Sequence, residues 1–421
     1  MRSFILYMGL LLVLNHIGHA QTPLSLEDCY RQAEMHSPLA AQTRLIQEAT
    51  ELQIKILSSS YVPQSRLNGQ ATWQSDVTSL PIKLPNFEIS PPPKDQYKLT
   101  LDVTQTIWDG GVIQKQKSVA LANQQAEQQK VAVDLYQIRE QVSNLFFGAL
   151  FAERQLHNFE ILQKELRAKL TKTQASVQNG IAIRSNVLSL EARLLEIEQQ
   201  LLETQKRRTA ALEGLSLLTG TAIDTNTPLV PPPVETQNSE IVRPELRLFD
   251  AQKQTLAVNE QVIKAKNAPK LSAFATGGYG RPGLNFLATS FQTYFIGGVQ
   301  LQIPLTHWYT KSQGMEIRQL RANQQRIERQ RESFLLATQV RLANQRREVE
   351  RIQALVESDR KLIDIRSTIR KASESQLDNG IITASDYLTE VNNEDTARQN
   401  QILHEVQLLQ AQNNLRLTAG N

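Results

Sequence analysis

The feature that most constrains the fold of this chain is an internal duplication. The segment Asn179-Gly180-Ile181 recurs as Asn379-Gly380-Ile381, and Trp108 recurs as Trp308, so both matches lie 200 residues apart. Chance similarities do not keep one offset, whereas repeated structural units do. The sequence therefore predicts one unit that is present twice in the chain.

The periodicity of apolar residues changes in the same order within each unit. Residues 26–59 have the pattern of one helix that Pro63 ends, and the alternation of polar and apolar residues that follows is typical of strands with one apolar face. After Gly110-Gly111 a heptad pattern predicts a helix of about 67 residues, and Asn179-Gly180 then turns the chain into a second, antiparallel helix. Only 18 Gly and 16 Pro interrupt the 421 residues, in agreement with such long elements.

These patterns predict the limits of the segments. They are a signal peptide over 1–20, a first repeat over 21–220, a proline-containing linker over 221–241 and a second repeat over 242–421. The β-hairpins are predicted over about 65–107 and 271–303, and the helical hairpins over about 112–218 and 311–418.

The first twenty residues have the pattern of a cleaved export signal. Arg2 precedes an apolar run over 4–14, and Gly18-His19-Ala20 supplies the small residues that a signal peptidase reads, with Gln21 as the mature N-terminus. The apolar run is shorter than the roughly 20 residues that a transmembrane helix needs. We therefore expect an exported protein.

The sequence offers little material for catalysis or cofactor binding. One Cys and six scattered His leave no cluster at zinc-ligand spacing, and the formal net charge of +4 is too small to indicate nucleic acid. Gly278–Gly283 matches a dinucleotide fingerprint in form, but Pro282 and the strand-like residues after it oppose the required helix, so a turn between strands is predicted there. Neither enzymatic activity nor a cofactor nor a metal site is predicted.

The number of strands requires an assembly of several chains. Two strands in each unit make four per chain, whereas membrane barrels have at least about eight. Two chains would supply eight strands and three chains twelve, and twelve leave more room for a lumen. The predicted fold is mainly α-helical with membrane β-strands, in two tandem repeats of helix, β-hairpin and long helical hairpin.

This order of elements resembles the TolC family of outer-membrane efflux proteins. The segments that carry the resemblance are Leu26-Glu27-Asp28 with Pro38, Thr106–Gly111, Gln178-Asn179-Gly180, Leu217–Gly220 and their counterparts in the second unit. The resemblance implies a homotrimer with a twelve-stranded barrel in the outer membrane of a Gram-negative bacterium and a helical tunnel in the periplasm. It further implies a periplasmic adaptor protein and an inner-membrane transporter as partners.

The resemblance also implies sites in the helical hairpins. The turns at Asn179-Gly180 and Asn379-Gly380 are expected to contact the adaptor. The expected periplasmic gate comprises Asp386, Thr389 and the adjacent Glu390, although the family pattern often has an acid where this chain has Thr389. In a trimer Asp386 would place three carboxylates around one axis; the alternatives that it caps the returning helix or is simply solvated stay open.

The polar residues of the first β-hairpin are expected to face the barrel lumen if Leu67, Leu99 and Leu101 face lipid, and the opposite register would reverse both sets. The expected lumen residues are Arg66, Asn68, Gln70, Thr72, Lys98, Thr100, Asp102 and Thr104.

The predicted function is that of a passive outer-membrane export channel of a tripartite efflux pump. One alternative is the channel of a type I protein secretion system, and one from a different class is an exported coiled-coil scaffold. A periplasmic adaptor is disfavoured because adaptors carry one hairpin and usually an inner-membrane or lipid anchor, whereas this chain has two predicted hairpins and neither anchor.

Overall fold

The computed structural model describes residues 23–78, 91–233, 240–305 and 310–420. The predicted signal peptide over 1–20 lies outside the described residues, as does Trp308. The predicted linker over 221–241 is described only in part.

The described elements follow the order that the sequence predicts, so the predicted fold class is confirmed. The first repeat contains β1 (Leu24–Ser25), α1 (Leu26–His36), α2 (Pro38–Ser59), β2 (Gln64–Trp73), β3 (Asp95–Trp108), α3 (Val112–Gln178) and α4 (Arg184–Thr219). After β4 (Leu229–Val230), the second repeat contains α5 (Pro244–Ala265), β5 (Lys270–Arg281), β6 (Gln292–Gln302), α6 (Ser312–Asp378) and α7 (Ala384–Ala419).

The prediction of a single helix over 26–59 is wrong, because the chain breaks at Ser37. Ser37 has φ −56° and ψ 132°, an extended conformation, and ends α1. Pro38 opens α2 and imposes that conformation on the residue before it through contacts of its ring. The same proline suits the first position of a helix, where a backbone N–H would have no partner in the helix.

The chain divides into two compact units, each of which takes segments from both repeats. One unit comprises the described residues within 42–131 and 245–333, and the other comprises those within 1–41, 132–244 and 334–421. The predicted repeat limits remain predictions.

The first of these units contains a four-stranded antiparallel sheet in the order β2-β3-β5-β6. The β-hairpin of each repeat supplies two neighbouring strands, and β3 pairs with β5 at the centre. The pairing of β3 with β5 runs from Tyr97 opposite Arg281 to Thr106 opposite Ser272, with an irregularity before Trp108. Strands β2 and β6 are the two edges of this sheet.

The two larger of three apolar clusters in the described part of the second unit hold its helices together. In one cluster α1 packs against the long helices through Cys29, Tyr30, Phe146 and Leu215, all at most 2% exposed. The other cluster includes Leu166 and Leu190 of the first helical hairpin. From α7 it includes Ala384, Tyr387, Leu388 and Val391. Burial of such side chains stabilises each by about 1.5–3 kcal/mol. The helical hairpins of the two repeats therefore share a core.

Candidate functional site

The eight predicted lumen residues lie on one face of the sheet. The register places Arg66 opposite Asp102, Asn68 opposite Thr100 and Gln70 opposite Lys98, and residues directly opposite in adjacent strands share a face. We call this face the polar face. Strands β5 and β6 add further residues to the polar face, among them Ser272, Phe274, Thr276, Gln292, Tyr294, Gln300 and Gln302.

The other face of the sheet is apolar and exposed. Leu67 is 67% exposed, Leu101 50%, Phe295 70% and Val299 65%. Such a continuous exposed apolar surface indicates contact with lipid or with another chain. The alternation therefore gives the sheet one polar and one apolar face. That the polar face meets water and the apolar face meets lipid remains a prediction.

The segment Gly278–Gly283 is partly strand and not the predicted turn, because β5 continues through Arg281. Gly278 lies on the polar face, where the ring of Tyr294 from β6 lies across it; a methyl group on Gly278 would lie 2.1 Å from Cζ of Tyr294. No helix opens within the segment, so a dinucleotide site of the fingerprint type is excluded there. The glycine makes room for an aromatic ring.

The two Asn-Gly turns have nearly the same geometry. Gly180 has φ +74° and Gly380 φ +71°, a left-handed conformation that glycine adopts without a Cβ clash. Ile181 N donates to the Ser176 carbonyl at 2.8 Å, and Ile381 N donates to the Gln376 carbonyl at 2.9 Å. The two isoleucines are 72% and 70% exposed. Each helical hairpin therefore ends in an exposed apolar side chain held by a rigid turn.

Asp386 caps α7, one of the alternatives that the sequence leaves open. Its Oδ2 accepts hydrogen bonds from the Thr383 backbone N–H at 3.0 Å and the Thr383 hydroxyl at 2.7 Å, and these bonds lower the pKa of the carboxyl below its usual value. The Asp386 N–H in turn donates to Thr383 Oγ1, which completes a capping box. The side chain is still exposed, so a cap and a surface carboxylate are compatible.

The two other predicted gate residues have different partners. The Thr389 hydroxyl donates to the Ser385 carbonyl at 3.0 Å within α7. Glu390 Oε2 lies 3.6 Å from Arg366 Nη1 of α6. The repeat counterpart of Asp386 is Asn186, whose Oδ1 accepts from the Ala384 N–H of α7 at 3.1 Å. This bond joins the two hairpins next to their turns.

Sequence reasoning missed a cluster of charged residues between the two helical hairpins. Lys169 of α3 is 4% exposed at its side chain, and its Nζ lies 2.6 Å from Asp378 Oδ1 of α6. Lys172 Nζ, on the exposed side of α3, lies 2.7 Å from Asp378 Oδ2. Lys169 Nζ also lies 3.5 Å from Glu374 Oε1 and 5.1 Å from the centre of the Tyr387 ring.

The cluster continues along the same helices to two buried carboxylates. Arg370 Nε lies 2.5 Å from Glu394 Oε2, which joins α6 to α7. Asp395, 6% exposed, accepts from Asn158 Nδ2 at 2.9 Å and lies 3.5 Å from Arg193 of α4. We call this group of residues the inter-hairpin charge cluster. Its members are Asn158, Lys169, Lys172, Arg193, Arg370, Glu374, Asp378, Glu394 and Asp395.

Burial and pairing shift the pKa values of two carboxyls in the cluster in opposite directions. At Asp378 partial burial opposes ionisation, but hydrogen bonds from Lys169 and Lys172 outweigh it and lower the pKa. At Asp395 burial prevails over the hydrogen bonds from Asn158 and Gln399 and raises the pKa. The Asp378 carboxyl therefore loses its proton at a lower pH than an ordinary aspartate, and the Asp395 carboxyl loses its proton at a higher pH.

The sequence profile of one protein family matches the first half of the described chain. The family is described as "Outer membrane efflux protein", and the matched residues are 29–221. The match begins within α1 and extends beyond the end of α4, with the first β-hairpin and the first Asn-Gly turn between them.

Residues 29–221 are thus similar to the outer membrane efflux protein family. The resemblance to TolC-type efflux proteins is thereby confirmed, and with it transport as the process and the outer membrane as the location. Proteins of this family are transport proteins.

Solved structures of membrane proteins have the same fold over nearly the whole chain. The outer membrane protein VceC of Vibrio cholerae is 16% identical with a TM-score of 0.63, and the match covers 94% of this chain and 96% of VceC. A membrane protein of Pseudomonas aeruginosa is 14% identical with a TM-score of 0.67 and coverages of 94% and 93%. The MtrE outer membrane channel of Neisseria gonorrhoeae, in its open state, is 15% identical with a TM-score of 0.63 and coverages of 94% and 89%. No curated protein sequence is significantly similar to the chain.

None of the helices in the described part of the chain is both long and apolar enough to cross a membrane. Among the described residues, no group of three or more His, Cys, Asp or Glu side chains is arranged to hold a metal ion.

Proposed function

We propose that the protein is the outer-membrane channel of a tripartite efflux pump and gives exported solutes a passive route from the periplasm to the exterior. The observation that carries the proposal is the four-stranded sheet with one polar face, one exposed apolar face and two open edges. Closed barrels remove such edges, and a polar interior behind an apolar exterior is the pattern of membrane barrels.

Three copies of the chain would close the barrel. The edge strands β2 and β6 have 10 and 11 residues, so β6 of one protomer and β2 of the next can pair over almost their full lengths. Three sheets of four strands would make a twelve-stranded barrel, wide enough for a lumen. In this homotrimer the helical hairpins extend the conduit into the periplasm.

The partners in the proposal are a periplasmic adaptor and an inner-membrane transporter, which supplies the energy. The turns Asn179-Gly180 and Asn379-Gly380 are the proposed adaptor contacts. The exposed Ile181 and Ile381 support this assignment, because exposed apolar side chains on rigid turns suit a protein interface. The family match and the shared fold support the general class of channel.

A pair of variants in β3 tests the assignment of the two faces. Leu101→Arg places a charge on the apolar face, at a cost of about 2–4 kcal/mol if that face meets the middle of the bilayer. Thr104→Arg places the same charge on the polar face of the same strand and is expected to be tolerated. The assay is membrane fractionation and the mass of the detergent-extracted complex.

We expect an outer-membrane trimer for the wild type and Thr104→Arg, and a large loss of trimer for Leu101→Arg. A soluble periplasmic monomer or dimer of the wild type would refute the channel and favour an exported coiled-coil protein. Equal yields for the two arginine variants would refute the assignment of the faces.

We further propose that Asp386, Thr389 and Glu390 border the periplasmic gate, with Asp386 of three protomers around one axis. Asp386→Asn removes the charge but keeps an oxygen that can accept the capping hydrogen bonds. Thr383→Val removes the capping hydroxyl but keeps the charge. If the ring of charge constricts the entrance, Asp386→Asn should increase single-channel conductance and Thr383→Val should not; equal effects would indicate that only the cap matters.

A further inference from the structure

The charged residues of the four strands are divided unequally between the two faces of the sheet. The polar face carries Arg66, Lys98 and Lys270 and a single carboxylate, Asp102. The apolar face carries one charge of each sign, Asp95 and Arg281, which form an ion pair with each other. The polar face therefore has an excess of two positive charges in each chain.

The single carboxylate of the polar face is held by neutral donors from three strands. Asp102 accepts from Asn68 Nδ2 at 2.6 Å, from the Thr276 hydroxyl at 2.6 Å and from the Thr100 hydroxyl at 3.1 Å. None of these bonds involves a cation. Asp102 is thus fixed in the sheet without neutralising a neighbouring positive charge through an ion pair.

The three cations of the polar face form no ion pair with any residue in the described ranges. Arg66 and Lys98 are exposed, and Lys270 is partly exposed. A cationic side chain without a carboxylate partner on a surface that water reaches is available to an anionic solute.

One of these cations lies beside an aromatic ring. Lys98 Nζ is 5.8 Å from the centre of the Tyr294 ring, which lies across Gly278. Phe274, on the same face, lies close to Gly298, where a methyl group would be 3.2 Å from the Phe274 ring. The two glycines allow aromatic rings to lie against the sheet near the ammonium group of Lys98.

We propose that the polar face favours organic anions that carry an aromatic ring, with Lys98 pairing with the anionic group and Tyr294 stacking on the ring. The inference rests on the proposed function, in which the polar face lines the lumen of a trimeric barrel. Three copies bring six excess positive charges around one axis, and the low-dielectric wall of a membrane barrel strengthens their field.

The ion permeability of single channels in planar bilayers tests the charge part of the proposal. Under a KCl gradient the reversal potential gives the ratio of chloride to potassium permeability. Lys98→Gln is expected to lower this ratio by roughly twofold or more, whereas Lys98→Arg keeps the charge and should leave the ratio unchanged. All three proteins have the same periplasmic gate, so the comparison isolates the contribution of the strand residue.

Current block by 2-naphthalenesulfonate, with methanesulfonate as the control, tests the aromatic part. Naphthalenesulfonate should block the wild type at lower concentration than methanesulfonate, and Tyr294→Leu should weaken its block by about threefold, a typical loss for one stacking contact. A permeability ratio that is unchanged in Lys98→Gln, or equal block by the two sulfonates, would overturn the inference. A purified trimer that forms no channels at all would instead refute the proposed function.

Discussion

The inter-hairpin charge cluster allows a sharp test of how burial changes the strength of an ion pair. Asp378 has two lysine partners at nearly equal distances, 2.6 Å for Lys169 and 2.7 Å for Lys172. The side chain of Lys169 is 4% exposed, however, and that of Lys172 is 63% exposed. Distance alone predicts equal contributions from the two pairs, whereas burial predicts unequal ones.

The perturbation is Asp378→Asn, which removes the carboxylate from both lysine pairs and leaves the buried ammonium of Lys169 without its nearest carboxylate. Loss of one partner of a fully buried pair costs about 3–5 kcal/mol. Two features reduce this figure: Glu374 Oε1 remains 3.5 Å from Lys169, and Asp378 itself is 30% exposed. Removal of a negative charge from the C-terminal end of α6 also contributes about 0.3–1 kcal/mol in the stabilising direction. The net expectation is a loss of about 2 kcal/mol of local stability.

The assay is hydrogen–deuterium exchange of the detergent-extracted trimer at pH 7, followed in peptides that cover 165–175 and 374–390. A loss of about 2 kcal/mol corresponds to exchange roughly 30-fold faster when these segments exchange by local opening. The matched control is Lys172→Gln, which removes the exposed partner of the same carboxylate and should cost about 0.2–1 kcal/mol, or less than about fivefold.

The double variant Asp378→Asn with Lys169→Met identifies the cause of the loss. Replacement of the stranded ammonium by an apolar side chain should recover part of the protection, because the unpaired buried charge is then gone. The reasoning would be refuted if Asp378→Asn and Lys172→Gln accelerated exchange equally, or if the double variant exchanged as fast as Asp378→Asn.

Two further predictions concern pH and packing. The raised pKa of Asp395 means that the folded state binds its proton more readily than the unfolded state, so this group adds stability as the pH falls through that raised pKa and loses it as the pH rises. The melting temperature of the wild type minus that of Asp395→Asn should therefore become more positive as the pH is lowered from 7 towards the ordinary aspartate pKa of 3.8, and a difference that becomes more negative would contradict the sign. Gly278→Ala should reduce the heat stability of the trimer by about 1–3 kcal/mol, because the added methyl group meets the Tyr294 ring. The control is Gly277→Ala, where a methyl group meets nothing within 4 Å. Equal losses of stability in the two variants would count against the packing explanation.

The order of elements was predictable because each boundary has a local cause. The long helix α3 begins at Val112, three residues after Asp109. Asp109 Oδ2 accepts from the Ile113 N–H at 2.6 Å, and its Oδ1 accepts from the Gly111 N–H at 3.0 Å. The Asp-Gly-Gly segment therefore supplies the helix start that its position in the sequence indicates. The break at Ser37 was equally local, and it was missed because the apolar pattern of 26–59 outweighed the restriction that a proline places on the residue before it.

The residues of the polar face were predictable from alternation alone, since a strand changes faces at every residue and β2 and β3 pair without a shift. The contribution of the second hairpin was harder to predict. Gly278 and Gly280 resemble turn residues in sequence, but in the sheet Gly278 accommodates the ring of Tyr294, a residue of another strand. The register between β5 and β6 explains Gly278, whereas a methyl group on Gly280 would lie 2.7 Å from the Tyr97 carbonyl oxygen of β3.

The inter-hairpin charge cluster was not predicted, although the sequence contains a signal of it. On α3 the buried positions Leu162, Leu166, Lys169 and Thr173 follow one another at spacings of four and three, so Lys169 occupies a place in the coiled-coil seam where an apolar residue is expected. A charged residue in such a seam usually sets the choice or the register of its partner helix, at a cost in stability. Which partner it selects cannot be read from α3, because Asp378 lies 209 residues away and in the other repeat. The bond between Lys169 and Asp378 also breaks the equivalence of the two repeats: the first repeat supplies the lysine and the second the carboxylate. This ion pair therefore favours one arrangement of the two helical hairpins. Their shared apolar pattern alone does not specify that arrangement.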